Sequence, residues 1–286
     1  MITRRQFLKR AWRGSLYTLL TTGIGYYYAR YIEPKLLGIS KHTVRSPLIP
    51  KSFAGIKIVQ FSDLHLGYHY SIGQLRRVVD TINAQSPDVV FFTGDLMDDQ
   101  RSFGSTEEIW QLLKRIQAPL GKYCIYGNHD HGGYGTELYK TLMTRADFRL
   151  LQNEEARIRL LDGSEIAVLG LDDMMLGHPE PEKTAQLAHP DVFTILLAHE
   201  PDVAPRIADY PVNLQLSGHS HGGQVKLPFF GPVITPPLAR IYTEGFYTIT
   251  GAYKLTLFVS RGLGMTRVPF RFLSRPEIVV FTMHRE

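Results

Sequence analysis

Three apolar runs in the first half of the chain each end in carboxylate, amide or imidazole side chains. Ile56-Lys57-Ile58-Val59-Gln60-Phe61 reads as a β-strand and delivers Ser62-Asp63-Leu64-His65. Ile72, Leu75, Val79 and Ile82 then fall on one helical stripe. After Pro87, Val89-Val90-Phe91-Phe92 is a continuous apolar strand that delivers Thr93-Gly94-Asp95. Ile109, Leu112, Leu113 and Ile116 make a second helical stripe. Cys124-Ile125-Tyr126 is a third strand and ends in Gly127-Asn128-His129-Asp130. Strand, polar block and helix in repeated order predict a layered α/β core. In such sheets ligands bind at the carboxyl ends of the strands, where these blocks stand.

The second half is richer in strands. Residues 157–161 and 166–171 predict a hairpin around Asp162-Gly163. Residues 192–197 form a buried strand ending in Ala198-His199-Glu200. Leu214-Gln215-Leu216 leads into Ser217-Gly218-His219-Ser220-His221-Gly222-Gly223. In an extended segment alternate side chains share a face, so both imidazoles can point to one ion. Residues 246–249, 255–260 and 278–283 read as closing strands, with no internal repeat.

Charge is unevenly placed. Residues 1–50 carry Arg4, Arg5, Lys9, Arg10, Arg13, Arg30, Lys35, Lys41 and Arg45 against Glu33. That is +8, which leaves −3 of the chain's +5 for residues 51–286. A body of that sign argues against nucleic acid as a partner. The single cysteine, Cys124, sits in an apolar strand and rules out an intrachain disulfide or a Cys-rich zinc cluster.

Thr3-Arg4-Arg5-Gln6-Phe7-Leu8-Lys9 resembles a bacterial twin-arginine export signal. The uncharged run 14–29 follows it. Its 16 residues span roughly 24 Å as a helix, short of the ~20 residues of a typical membrane span. Residues 1–32 therefore read as a leader, either cleaved or kept as an anchor. The expected partners are the twin-arginine translocation machinery and the membrane, and the expected location is the cell envelope. Anchoring on the cytoplasmic face is the alternative. Residues 33–52, with Pro34, Pro47 and Pro50 and no sustained period, read as a linker, and the body is expected from 53 to 286.

Five blocks thus stand in order: Asp63-x-His65, Gly94-Asp95, Gly127-Asn128-His129-Asp130, Ala198-His199 and Gly218-His219-x-His221. These donors suit divalent Mn, Fe or Zn. They are too many for one tetrahedral ion and suit two ions sharing a carboxylate. Together they resemble the calcineurin-like metallophosphoesterases, in the branch with a twin-arginine leader and a Gly-His-x-His-Gly-Gly-Gln motif, here Gly218 to Gln224. The resemblance covers about residues 53–286. It implies an α/β fold of four layers, two packed mixed β-sheets flanked by α-helices. It also implies that Asp63, His65 and His221 hold a first metal ion, that Asn128, His199 and His219 hold a second, and that Asp95 bridges them. His129 would donate a proton to the leaving oxygen, with its tautomer fixed by Asp130. The implied attacker is a bridging hydroxide, with no covalent intermediate.

The implied substrate is a phosphodiester or pyrophosphate, with nucleotide-linked glycolipids of the UDP-diacylglucosamine type among the candidates. A phosphomonoesterase and a silent metal-binding scaffold are the alternatives. Arg261, Arg267, Arg271 and Arg275 are a possible phosphate clamp, with a solvated face the favoured reading. The apolar stretches Leu227-Pro228-Phe229-Phe230, Val268-Pro269-Phe270 and Phe272-Leu273 are read as packed loops, with a lipid-facing rim as the alternative. His42, His69, His131, His178, His189 and His284 are read as structural or solvated, with His69 and His131 the exceptions to test because each closely follows a motif, and His131 placed to touch substrate. Met174-Met175 is read as a loop packed on the core, with a pocket mouth as the alternative.

Overall fold

A computed structural model describes residues 3–98, 106–132 and 135–286. The first two residues of the leader lie outside it. Helix α1 (Arg4–Tyr27) opens the chain, with Thr3 as its N-cap and Gln6 completing a capping box. No residue of α1 is buried. No helix among the described residues is long and apolar enough to cross a membrane.

Strand β1 (Gly38–Ser46) is followed by β2 (Lys57–Phe61), α2 (Ile72–Ala84), β3 (Val89–Phe92) and α3 (Glu107–Lys114). Next come β4 (Lys122–Cys124), α4 (Asn128–Gly132), α5 (Thr136–Arg145), β5 (Arg149–Leu150), β6 (Glu154–Arg159) and β7 (Glu165–Gly170). The chain closes with α6 (Pro181–Ala185), β8 (Thr194–Leu197), α7 (Ala204–Ile207), β9 (Leu214–Ser217), β10 (Lys226–Leu227), β11 (Gly231–Pro232), β12 (Gly245–Thr250), β13 (Lys254–Val259) and β14 (Glu277–Arg285).

Two six-stranded sheets result, ordered β1-β14-β2-β3-β4-β5 and β12-β13-β9-β8-β7-β6. Strands β2 to β5 run parallel, as do β7, β8, β9 and β13; β14 is antiparallel to β2 but parallel to β1, and β6 and β12 pair antiparallel with β7 and β13. Buried strands read as continuous apolar runs because both faces are covered. Val89 and Phe91 of β3 point between the sheets, where they meet Val168, Ile195 and Leu216. Val90 and Phe92 point the other way, into a core with Leu75, Val79 and Ile82 of α2 and Ile109 and Leu113 of α3. A third core joins the outer face of the second sheet to α6 and α7. The four-layer α/β arrangement is therefore present.

Residues 33–52 are not the tether expected. Glu33 is buried, and its carboxylate accepts the backbone N–H groups of Leu273 at 3.0 Å and Ser274 at 2.6 Å. Strand β1 pairs in parallel with β14 along its whole length, and Ile49 and Phe53 lie in the core between the sheets. The folded body thus begins near Glu33 rather than at residue 53. β1 escapes a reading of apolar period because its half-buried positions include Ser40 and His42, with Val44 the one apolar side chain among them. His42 packs there on the rings of Phe246 and Phe258, at centroid distances of 5.0 and 5.3 Å.

Candidate metal centre and active site

Five loops meet at one edge of the two sheets. They leave the carboxyl ends of β2, β3 and β4 in the first sheet and of β8 and β9 in the second. Parallel strands place all five on the same side, so residues from 63 to 221 converge. Backbone conformation aims the side chains inward. Asp63, His65, Asp95, His219 and His221 all have positive φ, between 46° and 65°. Each such residue costs on the order of 1–3 kcal/mol, held by the surrounding fold. Gly127 and Gly218 make room: a Cβ on the first would meet the Asp95 carboxylate, and one on the second would meet Ser62 and Asp63.

The expected ligands form two groups, Asp63 with His65 and His221, and Asp95 with His199 and His219, and a third cluster of His65, Asp98 and His129 adjoins the first. His65 Nε2 and His221 Nε2 face each other at 3.0 Å, and His221 Nε2 is 3.6 Å from Asp63 Oδ1. One oxygen stands between the groups: Asp95 Oδ2 is 3.4 Å from His65 Nε2 and 3.2 Å from His199 Nε2. Asn128 and His129 line the same cleft, of about 300 Å3, and His129 N–H donates to Asp95 Oδ1 at 2.9 Å.

Hydrogen bonds outside the groups set which nitrogen faces in. His199 Nδ1 donates to the Thr93 carbonyl at 2.6 Å, so Nε2 is the nitrogen turned toward the site. His219 Nε2 donates to the Pro237 carbonyl at 2.9 Å, which leaves Nδ1 as the inward donor atom. His65 Nδ1 lies 3.2 Å from Asp98 Oδ1, which turns its Nε2 inward. Asn128 Oδ1 and His199 Nε2 are buried without a hydrogen bond of acceptable geometry. A buried polar atom without a partner is costly, and a cation at this place would satisfy both. The residues present therefore fit a pair of divalent ions.

The electrostatics agree. Burial would raise the Asp95 carboxyl, but the charges of His199, His129 and His65 hold it well below the usual range. Burial pushes the Asp63 carboxyl up, against the pull of His199. Burial and the His199 charge bring His219 down to about 4. Burial, with the charges of His65 and Arg271 beside it, keeps His221 well below the usual imidazole range. His219 and His221 are thus neutral, the form in which imidazole binds a metal. Burial opposes a charge on His199 and His65, but the carboxylates around them outweigh it and hold both raised.

Asp130 does not hold His129 in the way expected. Its Oδ2 accepts the backbone N–H groups of Asp95 and Gly127, each at 2.8 Å, and its Oδ1 accepts that of Leu96 at 3.0 Å. The carboxylate at His129 is that of Asp98, whose Oδ1 is 3.3 Å from His129 Nδ1. Asp98 is the residue that sequence reading missed. It follows no apolar run, and its one local signal is the spacing from Asp95 in Asp95-Leu96-Met97-Asp98.

The four arginines separate. Arg267 lines the cleft. Arg271 is fully buried rather than solvated, donating to the carbonyls of Gly264, Ser274 and Arg261, with Nη2 3.3 Å from His221 Nδ1. Arg261 pairs with Glu277 at 2.6 Å, and Arg275 lies on another face with Lys35 and Arg77. His131 binds Asp172 at 2.8 Å and is not among the residues lining the cleft. Met175 reaches the cleft, whereas Met174 packs against the outer core. Phe229 and Phe230 are not packed: they are 106% and 85% exposed.

Fold, converging loops and donor set define a metal-dependent hydrolase of phosphoric esters. The family model for calcineurin-like phosphoesterases matches residues 56–223, and the chain belongs to that family. Members use a dinuclear centre of divalent metal ions. YkuE of Bacillus subtilis (strain 168), an uncharacterized metallophosphoesterase, is 50% identical over 282 residues, 99% of this chain and 98% of its own. The UDP-2,3-diacylglucosamine pyrophosphatase LpxG of Chlamydia trachomatis serovar D is 29% identical, over 92% of this chain and 94% of its own. The phosphodiesterase YaeI of Escherichia coli (strain K12) is 26% identical, over 99% of this chain and 100% of its own.

Proposed function

We propose that the chain hydrolyses a phosphodiester or pyrophosphate bond. Asp63, His65 and His221 hold one divalent ion, Asn128, His199 and His219 hold a second, and Asp95 is shared. The observation that carries this reading is the place of Asp95 Oδ2, within 3.4 Å of an inward nitrogen from each group. Mn, Fe and Zn all suit these donors. Such ions, when bound, neutralise phosphoryl oxygens and make water reactive near neutral pH.

The chain's own residues do the rest. His129 is partly exposed in the cleft and delivers a proton to the leaving oxygen. Asp98 holds its Nδ1, so Nε2 is the atom offered to substrate. Asp130 ties the Asp95 and Gly127 loops together and so fixes the distance between acid and site.

Of the four C-terminal arginines Arg267 alone lines the cleft, which favours a diester or anhydride over a doubly charged monoester. The names of LpxG and YaeI support the same two bond types, and LpxG supports a lipid-linked nucleotide. Residues 1–32 serve as a twin-arginine export leader that brings the chain to the cell envelope, a reading supported by Arg4-Arg5 and the uncharged run after them.

A substrate panel tests the function. Protein loaded with manganese is offered bis-p-nitrophenyl phosphate, a nucleotide-linked lipid pyrophosphate and p-nitrophenyl phosphate, with His129→Ala alongside. Turnover of diester or pyrophosphate that drops sharply in the variant supports the reading. Preference for the monoester contradicts it, and metal retention without turnover in either protein indicates a scaffold.

A further inference from the structure

We propose that the face around the cleft mouth docks on an anionic lipid bilayer, with the tip of the β10–β11 hairpin inserted among the lipids. Phe229 buries none of its area in the fold and holds a φ of 69°, which a bulky side chain rarely adopts. Phe230 beside it is 85% exposed. The apolar surface continues from the tip into the catalytic cleft through Val233 and Ile234, both exposed and both lining it.

The patch also runs sideways to α1. Phe272 accepts the Lys226 N–H of β10 at 2.9 Å, and its ring packs on Tyr28 with centroids 6.3 Å apart. Phe270 packs on Tyr26 at 5.4 Å. In the uncharged half of α1, Leu16, Leu20, Ile24 and Tyr27 recur at helical spacing and are all exposed. Thr18 and Thr22 lie on the opposite side of the helix, with Thr21 and the exposed Leu19 at the flanks. The stripe is narrow, since α1 as a whole is only weakly amphipathic, and the tyrosines at its end suit a membrane interface.

Charge identifies the lipid. Residues 1–32, 225–241 and 264–275 hold eleven Lys and Arg and no Asp or Glu, so the remainder of the +5 chain nets −6. Of these cations, Arg267 is exposed at the cleft, Arg240 is exposed just after the cleft-lining Pro236 and Pro237, and Arg4, Arg5, Lys9, Arg10 and Arg13 are exposed on α1, where anionic headgroups would meet them. Arg271, by contrast, is buried, Lys226 pairs with Glu244 and Arg275 lies on another face. Substrate then enters from the bilayer side. Docking itself does not depend on the hydrolytic reading.

Flotation of the full chain with vesicles tests this, using phosphatidylcholine alone and phosphatidylcholine mixed with phosphatidylglycerol. Wild-type protein floats with the mixed vesicles, less so in high salt, and little with phosphatidylcholine alone. Phe229→Ser/Phe230→Ser weakens partitioning about tenfold or more, with melting temperature and bis-p-nitrophenyl phosphate turnover unchanged. Arg240→Glu, an exposed charge reversal, weakens binding to the mixed vesicles alone. Wild-type protein that stays with the lipid-free fraction overturns the proposal, as does vesicle binding indifferent to both variants. A dimer in solution that the double variant abolishes, without vesicle binding, assigns the face to a second copy of the chain instead. Vesicle binding without turnover in any variant leaves docking standing and rejects the hydrolytic reading.

Discussion

Asp98 Oδ1 sits 3.3 Å from His129 Nδ1, and the same oxygen is 3.2 Å from His65 Nδ1. One carboxylate therefore orients both an inward-facing donor of the metal site and the side chain offered as proton donor. Asp98→Asn keeps the shape but removes the negative charge that both rings face. Its expected effect is a fall in kcat of roughly 10–100-fold, the range for partners that orient ligands. Metal content stays near the wild-type value, and the limb of the pH–rate profile assigned to the acid shifts. An unchanged kcat and profile would remove Asp98 from the mechanism.

Asp130 predicts a different kind of defect. Its buried carboxylate accepts three backbone N–H groups, two of them on either side of the cleft floor. Asp130→Asn replaces an acceptor with a donor facing amides, at a cost on the order of 2–4 kcal/mol. Urea unfolding reads this directly. A variant as stable as wild type, with lost turnover, would restore the catalytic role expected from the sequence.

The contrast between these two aspartates shows where sequence reading stops. The four layers were legible because strands covered on both faces leave unbroken apolar runs, as at 89–92 and 195–197. The donor set was legible because each donor follows such a run. Hydrogen-bond partners were not, since Asp98 and Asp130 are equally plausible until the loops are placed. β1 was missed for a related reason: an edge strand that buries Ser40 and His42 has no apolar period to read.

Metal uptake should depend on pH. His65 and His199 are held above the ordinary imidazole range by their carboxylate neighbours, so in the metal-free site each keeps its proton to higher pH than a free imidazole would. Each proton must leave before that nitrogen can bind an ion. Affinity for manganese or zinc therefore tightens as pH rises, and binding releases protons. Chelation abolishes turnover and re-addition restores it. Uptake independent of pH, measured by calorimetry in two buffers, would contradict this.

The His131–Asp172 pair gives a stability prediction. Burial opposes the His131 charge, but the bond to Asp172 outweighs it and raises the imidazole. Burial opposes the Asp172 charge too, yet His131 and Gln152 help bring it down to about 2. The raised histidine contributes fully below its unfolded value of about 6.5 and loses its contribution as pH climbs through the folded one. The depressed aspartate contributes above about 3.9 and loses its contribution as pH falls toward 2. The stability gap between wild type and His131→Gln is thus widest from about pH 4 to 6.5 and narrows on both sides. A gap constant across that range would mean the pair is not ionised.

Anomalous diffraction from crystals of manganese-loaded protein measures the central relation most directly. Two peaks are expected, about 3.5–4 Å apart, with the Asp95 carboxylate between them. Asp63, His65 and His221 should lie around one peak, and Asn128, His199 and His219 around the other. A single peak, or two peaks that do not share Asp95, would contradict it.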